Sequence, residues 1–268
     1  MRLASYEHEG RWRAAVAVDG GLVDAGGATV RELLEGGLDA VPRDGEPLGD
    51  VRLGPPVPDP DKILCVGLNY RAHAEEAELE VPAAPLIFAK FRNTLIGSGE
   101  PIRLPAANPA RVDYEGEIAF VIGRVTHGVS EAEANDAIAG WMPFNDVSAR
   151  DLQQVTSQWT VGKSPDTFGP CGPHLVLDDA WRTDGLELET RVNGERVQRA
   201  HTSAMIFSTA KLVAYLSSVM TLMPGDLIVS GTPEGIGARR EPPFFLSDGD
   251  VVEIRVGDEV LTNPVARA

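Results

Sequence analysis

The chain has 268 residues, 43% hydrophobic and 24% charged, a balance that fits one large globular domain or a main domain with a small appendage. Its formal net charge of -16, with no compensating Lys/Arg block, argues against nucleic acid or an anionic membrane as partner. No apolar run approaches the ~20 residues of a membrane span, no apolar leader opens the chain, and Cys65 and Cys171 are too few for a disulfide framework or a zinc site.

A reduced, cytoplasmic setting is therefore the expectation, and a small anionic substrate would need a metal ion or a few placed cations to receive it. Residues 1–60 read as a small N-terminal unit. "RWRAAVAVDGGLVDAGG" alternates as a hairpin about Asp19-Gly20-Gly21, and "TVRELLEGGLDAV" is a short helix opened by a Thr cap and closed by Gly. "RLGPPVPDPDK" is an extended, proline-punctuated linker. From residue 61 to 268 short strands dominate: "KILCVGL", "LIFAKF", "EIAFVIG", "HLVLD", "LELETRVNGERV", "DLIVSG" and "DVVEIRVGDEVL". The clearest helices expected are "SEAEANDAIAGW" and "SAMIFSTAKLVAYLSSVM". Helices do not alternate regularly with strands, so the pattern predicts a β-rich α+β domain rather than a doubly wound parallel sheet.

"VGLNYRAHAEEAELEVP" passes from a buried strand into a turn and a short helix. There His73 and Glu76 are three apart and share a face, the spacing for a carboxylate that orients an imidazole base, or for incidental charges on an exposed helix. "VDYEGEIAFVIG" carries Glu115 and Glu117 together on one face of a strand that is otherwise apolar on both. An exposed edge would explain the pair; if buried, the two carboxylates need a cation, and a hard divalent ion with oxygen ligands is the natural one. Asp146, in "GWMPFNDVSARDLQ", is either a helix N-cap or a third oxygen donor, with Arg150 and Gln153 on the polar helical face that follows. Lys163 sits in the Gly/Pro-rich "GKSPDTFGPCGP", where it is either an ordinary solvated loop lysine or, held by a stiff loop, a carboxylate clamp. "SGTPEGIG" reads as a strand ending in a glycine-rich loop, either a plain tight turn or one whose N–H groups and Thr232 hydroxyl could cradle an anion; it lacks the P-loop pattern.

With these segments in order, and with "MTLMPGDLIVSGTPEGIG" and "LSDGDVVEIRV" after them, the chain resembles the fumarylacetoacetate hydrolase family over roughly residues 62–265. The resemblance implies a mixed β-sandwich roll, a homodimer, and Mg²⁺ or Mn²⁺ held by Glu115, Glu117 and Asp146. It further implies a water-activating dyad of His73 and Glu76, and contacts from Arg150, Gln153, Lys163 and Thr232 to a 2-oxo acid, with Tyr70 lining the site. The activities implied are hydrolysis of a carbon–carbon bond in a 2,4-dioxo acid through a metal-stabilised pyruvate enolate, or isomerisation, hydration or decarboxylation of 2-oxo acids on the same site. A metal-dependent binding protein without turnover is the reading from another class. Pro165, and Phe91-Arg92 where many members carry a proline, depart from the family pattern and bear on the substrate; Arg92 is expected at the pocket rim.

Overall fold

A computed structural model describes residues 1–38, 41–106, 111–183 and 185–267. Its frame is a mixed nine-stranded sheet. In spatial order the strands are Gly21–Asp24, Arg11–Val18, Arg2–His8, Leu175–Val176, Ile138–Asn145, Gly116–Ile122, Leu227–Val229, Ile63–Gly67 and Leu86–Lys90. The N-terminal strands extend this sheet, because Arg2–His8 pairs antiparallel with Leu175–Val176. The expected hairpin forms between Arg11–Val18 and Gly21–Asp24. The expected helix runs Val30–Gly36, with Thr29 and Glu32 in a reciprocal capping box and Gly37 at φ 94°.

A five-stranded sheet covers one face, in the order Glu195–His201, Glu187–Val192, Val251–Val256, Glu259–Arg267 and Ile102–Leu104. The strand Gly116–Ile122 shows why two layers are needed: every one of its residues is buried. Ile118, Phe120 and Ile122 pack with Leu188, Ile254 and Val256 of the second sheet. Ala119 and Val121 turn the other way, into a cluster with Val16, Val30, Leu34 and Leu227. The architecture is the strand-rich α+β fold read from the sequence. Among the described residues no helix is long and apolar enough to cross a membrane.

Both long helices expected from the sequence are shorter. The segment "SEAEANDAIAGW" is helical only over Glu131–Ala134, with a 3₁₀ turn at Asn135–Ala137, and becomes a strand at Ile138–Asn145. That strand pairs along its length with Gly116–Ile122, and pairing in the middle of a sheet outweighs the helix preference of an alanine-rich run. In "SAMIFSTAKLVAYLSSVM" the helix runs Thr209–Ser217, opened by the Ser208 hydroxyl, which accepts from Lys211 N. The residues before it are held elsewhere: Ile206 N and Phe207 N donate to the main-chain oxygen and Oδ1 of Asn69, at 2.7 and 2.8 Å.

Candidate metal centre and its cavity

A break in the strand pairing brings the acidic residues together. Val112–Asp113 pairs with Ser148–Ala149, whereas Gly116–Ile122 pairs with Ile138–Asn145. Between the two ladders Asp146 N donates to Glu115 O at 2.9 Å, and Glu115 N donates to Asn145 Oδ1 at 3.1 Å. Gly116 at the break lies so close to the Thr190 hydroxyl that any Cβ would collide with it. One carboxylate oxygen from each of Glu115, Glu117 and Asp146 consequently lies within 4.8 Å of the others, and all three residues are buried. Asp146 is not a helix cap: the N-cap position of Arg150–Gln153 is Ala149, and no side chain caps it.

Three buried cations surround the acids. Lys163 Nζ, at the end of the short helix Thr160–Lys163, bonds Glu115 Oε2 at 2.7 Å and Asp146 Oδ2 at 2.6 Å. Lys90, the last residue of the sheet's edge strand, bonds Asp146 Oδ1 at 2.6 Å. Arg150 reaches Glu115 Oε1 at 2.7 Å, Asp113 Oδ2 at 3.1 Å and Gln153 Oε1 at 3.1 Å. Burial pushes the Glu115 carboxyl up, but Lys163 and Arg150 together hold it below the usual carboxylate range. Glu117 is in the opposite position. Burial, and then the neighbouring Asp146 and Glu115, push its carboxyl well above that range, and the backbone N–H of Gly231, at 2.7 Å, only partly offsets this. Four carboxylates, counting Asp113, thus share three cations, and the shortfall falls on Glu117. A compact, dry, all-oxygen donor set lacking one positive charge suits a divalent ion such as Mg²⁺ or Mn²⁺. The residues fit that ion.

Glu115 and Glu117, but not the fully buried Asp146, face a cavity of about 290 Å³. His73, Glu115, Glu117 and Arg150 line it, as do Gln153, Lys163 and Thr232. His73 Nδ1 lies 3.1 Å from Glu76 Oε2. A carboxylate only accepts, so Nδ1 carries the hydrogen and Nε2 is the nitrogen left for the cavity. Glu76 stands behind His73, with its other oxygen accepting from Gly235 N at 2.8 Å. Phe88 and Trp159 form an edge-on ring pair in the wall, and Lys163 Nζ lies 5.1 Å from the Phe88 centroid.

The glycine-rich loop was expected to cradle an anionic ligand, and here the structure differs. Gly231 N serves Glu117, Gly235 N serves Glu76, and Gly237 N and Ala238 N serve the two oxygens of Asp113, all at 2.7–2.8 Å. The loop's donors hold the protein's own acids in place, and for the buried Glu117 the Gly231 N–H is the one hydrogen-bond donor among the described residues. The Thr232 hydroxyl, likewise, donates to Gly116 O at 3.0 Å and accepts from Gln198 Nε2 at 2.9 Å. Tyr70 lies off the cavity, buried, its hydroxyl without a hydrogen-bond partner among the described residues; burial, Glu117 and Glu234 raise its pKa. Arg92 lines a separate depression beside Lys62 and Asn93, not the rim.

Sequence reasoning left Lys90, Asp113 and Gln198 unassigned. The one signal for Lys90 was a lysine closing the apolar run "LIFA". Asp113 was visible as a third acid before "YEGE", but its partners come from residues 150 and 237–238, far along the chain.

The family model for the fumarylacetoacetate hydrolase C-terminal domain matches residues 62–266. A mitochondrial oxaloacetate tautomerase of Xenopus laevis, fahd2, is 42% identical over 221 residues, covering 81% of this chain and 69% of that protein. The solved 2-hydroxyhepta-2,4-diene-1,7-dioate isomerase from Mycobacterium marinum is 40% identical with a TM-score of 0.81, covering 100% of this chain and 98% of the other. A maleylpyruvate hydrolase from Sphingobium sp. SYK-6, solved with manganese(II) and pyruvate, is 29% identical with a TM-score of 0.80, over 100% of both chains. The match over residues 62–266 and relatives at this level of identity make this chain an enzyme of the fumarylacetoacetate hydrolase family.

Proposed function

We propose that the chain is a divalent-metal-dependent isomerase or tautomerase that moves a proton at the carbon next to the keto group of a 2-oxo acid. One observation carries this reading: His73, oriented by Glu76, lines the same small cavity as Glu115 and Glu117. His73 would then serve as a base beside the spot where an ion-bound acid presents its acidic C–H. The relatives are compatible with it, since proteins named for tautomerisation and isomerisation are 42% and 40% identical to this chain, beside one named a hydrolase at 29%.

An ion held by Glu115, Glu117 and Asp146 would supply a Lewis acid for the carboxylate and 2-oxo oxygens of the substrate. His73 Nε2 takes the C3 proton, and the electron pair of the broken C–H bond passes toward the 2-oxo oxygen. Return of the proton to oxygen gives the enol, return to C3 the ketone, and return further along a conjugated chain an isomer with a shifted double bond. Glu76 keeps the hydrogen on Nδ1 and steadies the imidazolium that forms. Lys163 and Arg150 keep the floor of the cavity from repelling an anion, and Gln153, bonded to Arg150, fixes the guanidinium's orientation. Phe88 and Trp159 exclude water from the reacting carbon.

Hydrolysis of a 2,4-dioxo acid is the second reading, supported by the same dyad and by the hydrolase relative. His73 would then take a proton from water, which attacks the 4-carbonyl; the C3–C4 bond breaks with its electron pair to C3, giving pyruvate and a second acid. Loss of a 4-carboxylate as CO₂ from an oxaloacetate-like acid uses the same electron sink. Incubation with Mn²⁺ or Mg²⁺ in D₂O, followed by NMR, separates them. Deuterium at C3 or a moved double bond in an intact chain supports the proposal, two acids support hydrolysis, and CO₂ supports decarboxylation. If none of these occurs on oxaloacetate, acetylpyruvate or an unsaturated 2-oxo diacid, the proposed function fails.

A further inference from the structure

The cations that line the cavity differ in what they hold. Arg150 and Lys163 are spent on the protein's own carboxylates. Arg239 also lines the cavity, yet among the described residues it forms no ion pair; its Nη2 donates to the carbonyl of Ala77, another lining residue, at 3.1 Å. Arg239 is exposed while it lines the cavity, so its guanidinium stands at the mouth. Leu79, Phe88, Trp159 and Ile236 make an apolar wall in the same cavity. Arg239 is also fixed relative to the floor. It closes the short 3₁₀ turn Gly237–Arg239, whose Gly237 N and following Ala238 N both donate to Asp113, the acid that grips Arg150.

In a chain of net charge -16, an arginine that forms no ion pair among the described residues, and whose backbone turn is tied to an anion-receiving floor, is positive charge kept for a ligand. An acid seated with its 2-oxo end at the triad would lay its carbon chain along the apolar wall and bring its far end to the mouth. The flat guanidinium fork matches a carboxylate there in both charge and shape. A methyl or amide end would gain neither.

We propose that Arg239 determines specificity by selecting 2-oxo acids that carry a second carboxylate at the end remote from the keto group. This rests on the reading of the cavity as a 2-oxo acid site. Arg239 touches no reacting atom, so its contribution is to binding and falls on KM rather than kcat.

The test compares 2-oxo α,ω-diacids of increasing length with their ω-amides, on the wild-type chain and on Arg239→Gln and Arg239→Lys, with Mn²⁺ present. Wild type should prefer one diacid over its amide by ~10-fold in KM, the gain of a charge-assisted pair at a solvent-screened mouth. Arg239→Gln should bring that ratio to about one, and Arg239→Lys should restore part of it. If the ratio is unchanged in Arg239→Gln, or if kcat falls alike for diacid and amide, the proposal is overturned; the latter result would mean that the contact to Ala77 merely steadies the helix bearing His73. Should wild type turn over none of the compounds, the proposed reaction is wrong, and calorimetric binding of the same pairs still reads Arg239. Discrimination lost in Arg239→Gln supports its role there, and equal binding of diacid and amide by wild type refutes it.

Discussion

Glu117 is the acid left without a cation, and replacing it by glutamine separates its two states. In the ion-free protein burial and the neighbouring Asp146 and Glu115 favour its protonated form. Gln keeps an oxygen to accept from Gly231 N and adds no charge, so near the pH at which an ordinary carboxyl titrates the ion-free Tm of Glu117→Gln should stay within about 2 °C of wild type, and at higher pH it should exceed it. Ion binding is another matter. At free ion about a hundredfold above Kd, binding adds about 2.7 kcal/mol to stability. A chain of 268 residues unfolds with an entropy of roughly 0.56 kcal/mol/K, so wild type should gain about 5 °C. Losing one of three anionic ligands weakens the site by ~100-fold or more, at least the upper range for losing an outer-shell partner. The variant's gain at the same ion concentration is then about 0.4 kcal/mol, or under about 1 °C. Differential scanning fluorimetry with and without Mn²⁺ reads both numbers. A Glu117→Gln protein that melts several degrees lower without ion, or that keeps the full Mn²⁺ shift, would refute the reasoning.

The same carboxyl sets a pH dependence. Because its folded pKa is raised, its contribution to ion-free stability is complete below the ordinary carboxylate range and is lost as pH rises toward the raised value, by up to about 1.4 kcal/mol per pH unit; Tm in chelator should show this slope in wild type, and Glu117→Gln should lack it. Ion affinity should rise with pH over the same window, since the ion must displace the proton. His73→Ala should lower kcat by 10²–10⁴-fold in a steady-state assay while leaving the Mn²⁺-induced Tm shift in place. Lys163→Met strips the shared cation from Glu115 and Asp146, so ion-free stability should fall by about 3–5 kcal/mol in urea titrations, with Mn²⁺ recovering part of it. Gly231→Ala should cost about 1–3 kcal/mol in the same titrations, because Gly231 has φ 95° and a Cβ there would lie 2.8 Å from Asn69 Cβ and Val66 O.

How far the molecule could be read in advance depended on whether the signal was local. Glu115 and Glu117 stood out because like charges interrupted a run that is apolar on both faces, and that conflict is written in twelve consecutive residues. Capping at Thr29 and the hairpin turn at Asp19-Gly20 are equally local, and both formed as expected. The helix expected over "SEAEANDAIAGW" yielded to a strand because Ile138–Asn145 finds its partner in Gly116–Ile122, a pairing that propensity does not see. Nor could propensity show that the backbone donors of the 230–238 loop would be claimed by Glu117, Glu76 and Asp113, whose side chains meet the loop only after the sheet has closed. Lys90 illustrates the same limit: its ammonium is buried, and burial lowers its pKa against the pull of Asp146, a partner 56 positions away.

The proposed chemistry requires that Glu115, Glu117 and Asp146 together bind one divalent ion. Crystals grown with Mn²⁺ and measured for anomalous scattering test it directly. A single strong peak per chain is expected, about 2.0–2.3 Å from one oxygen of each of the three carboxylates. A peak elsewhere, or none at saturating Mn²⁺ with Lys163 still bridging Glu115 and Asp146, would contradict it.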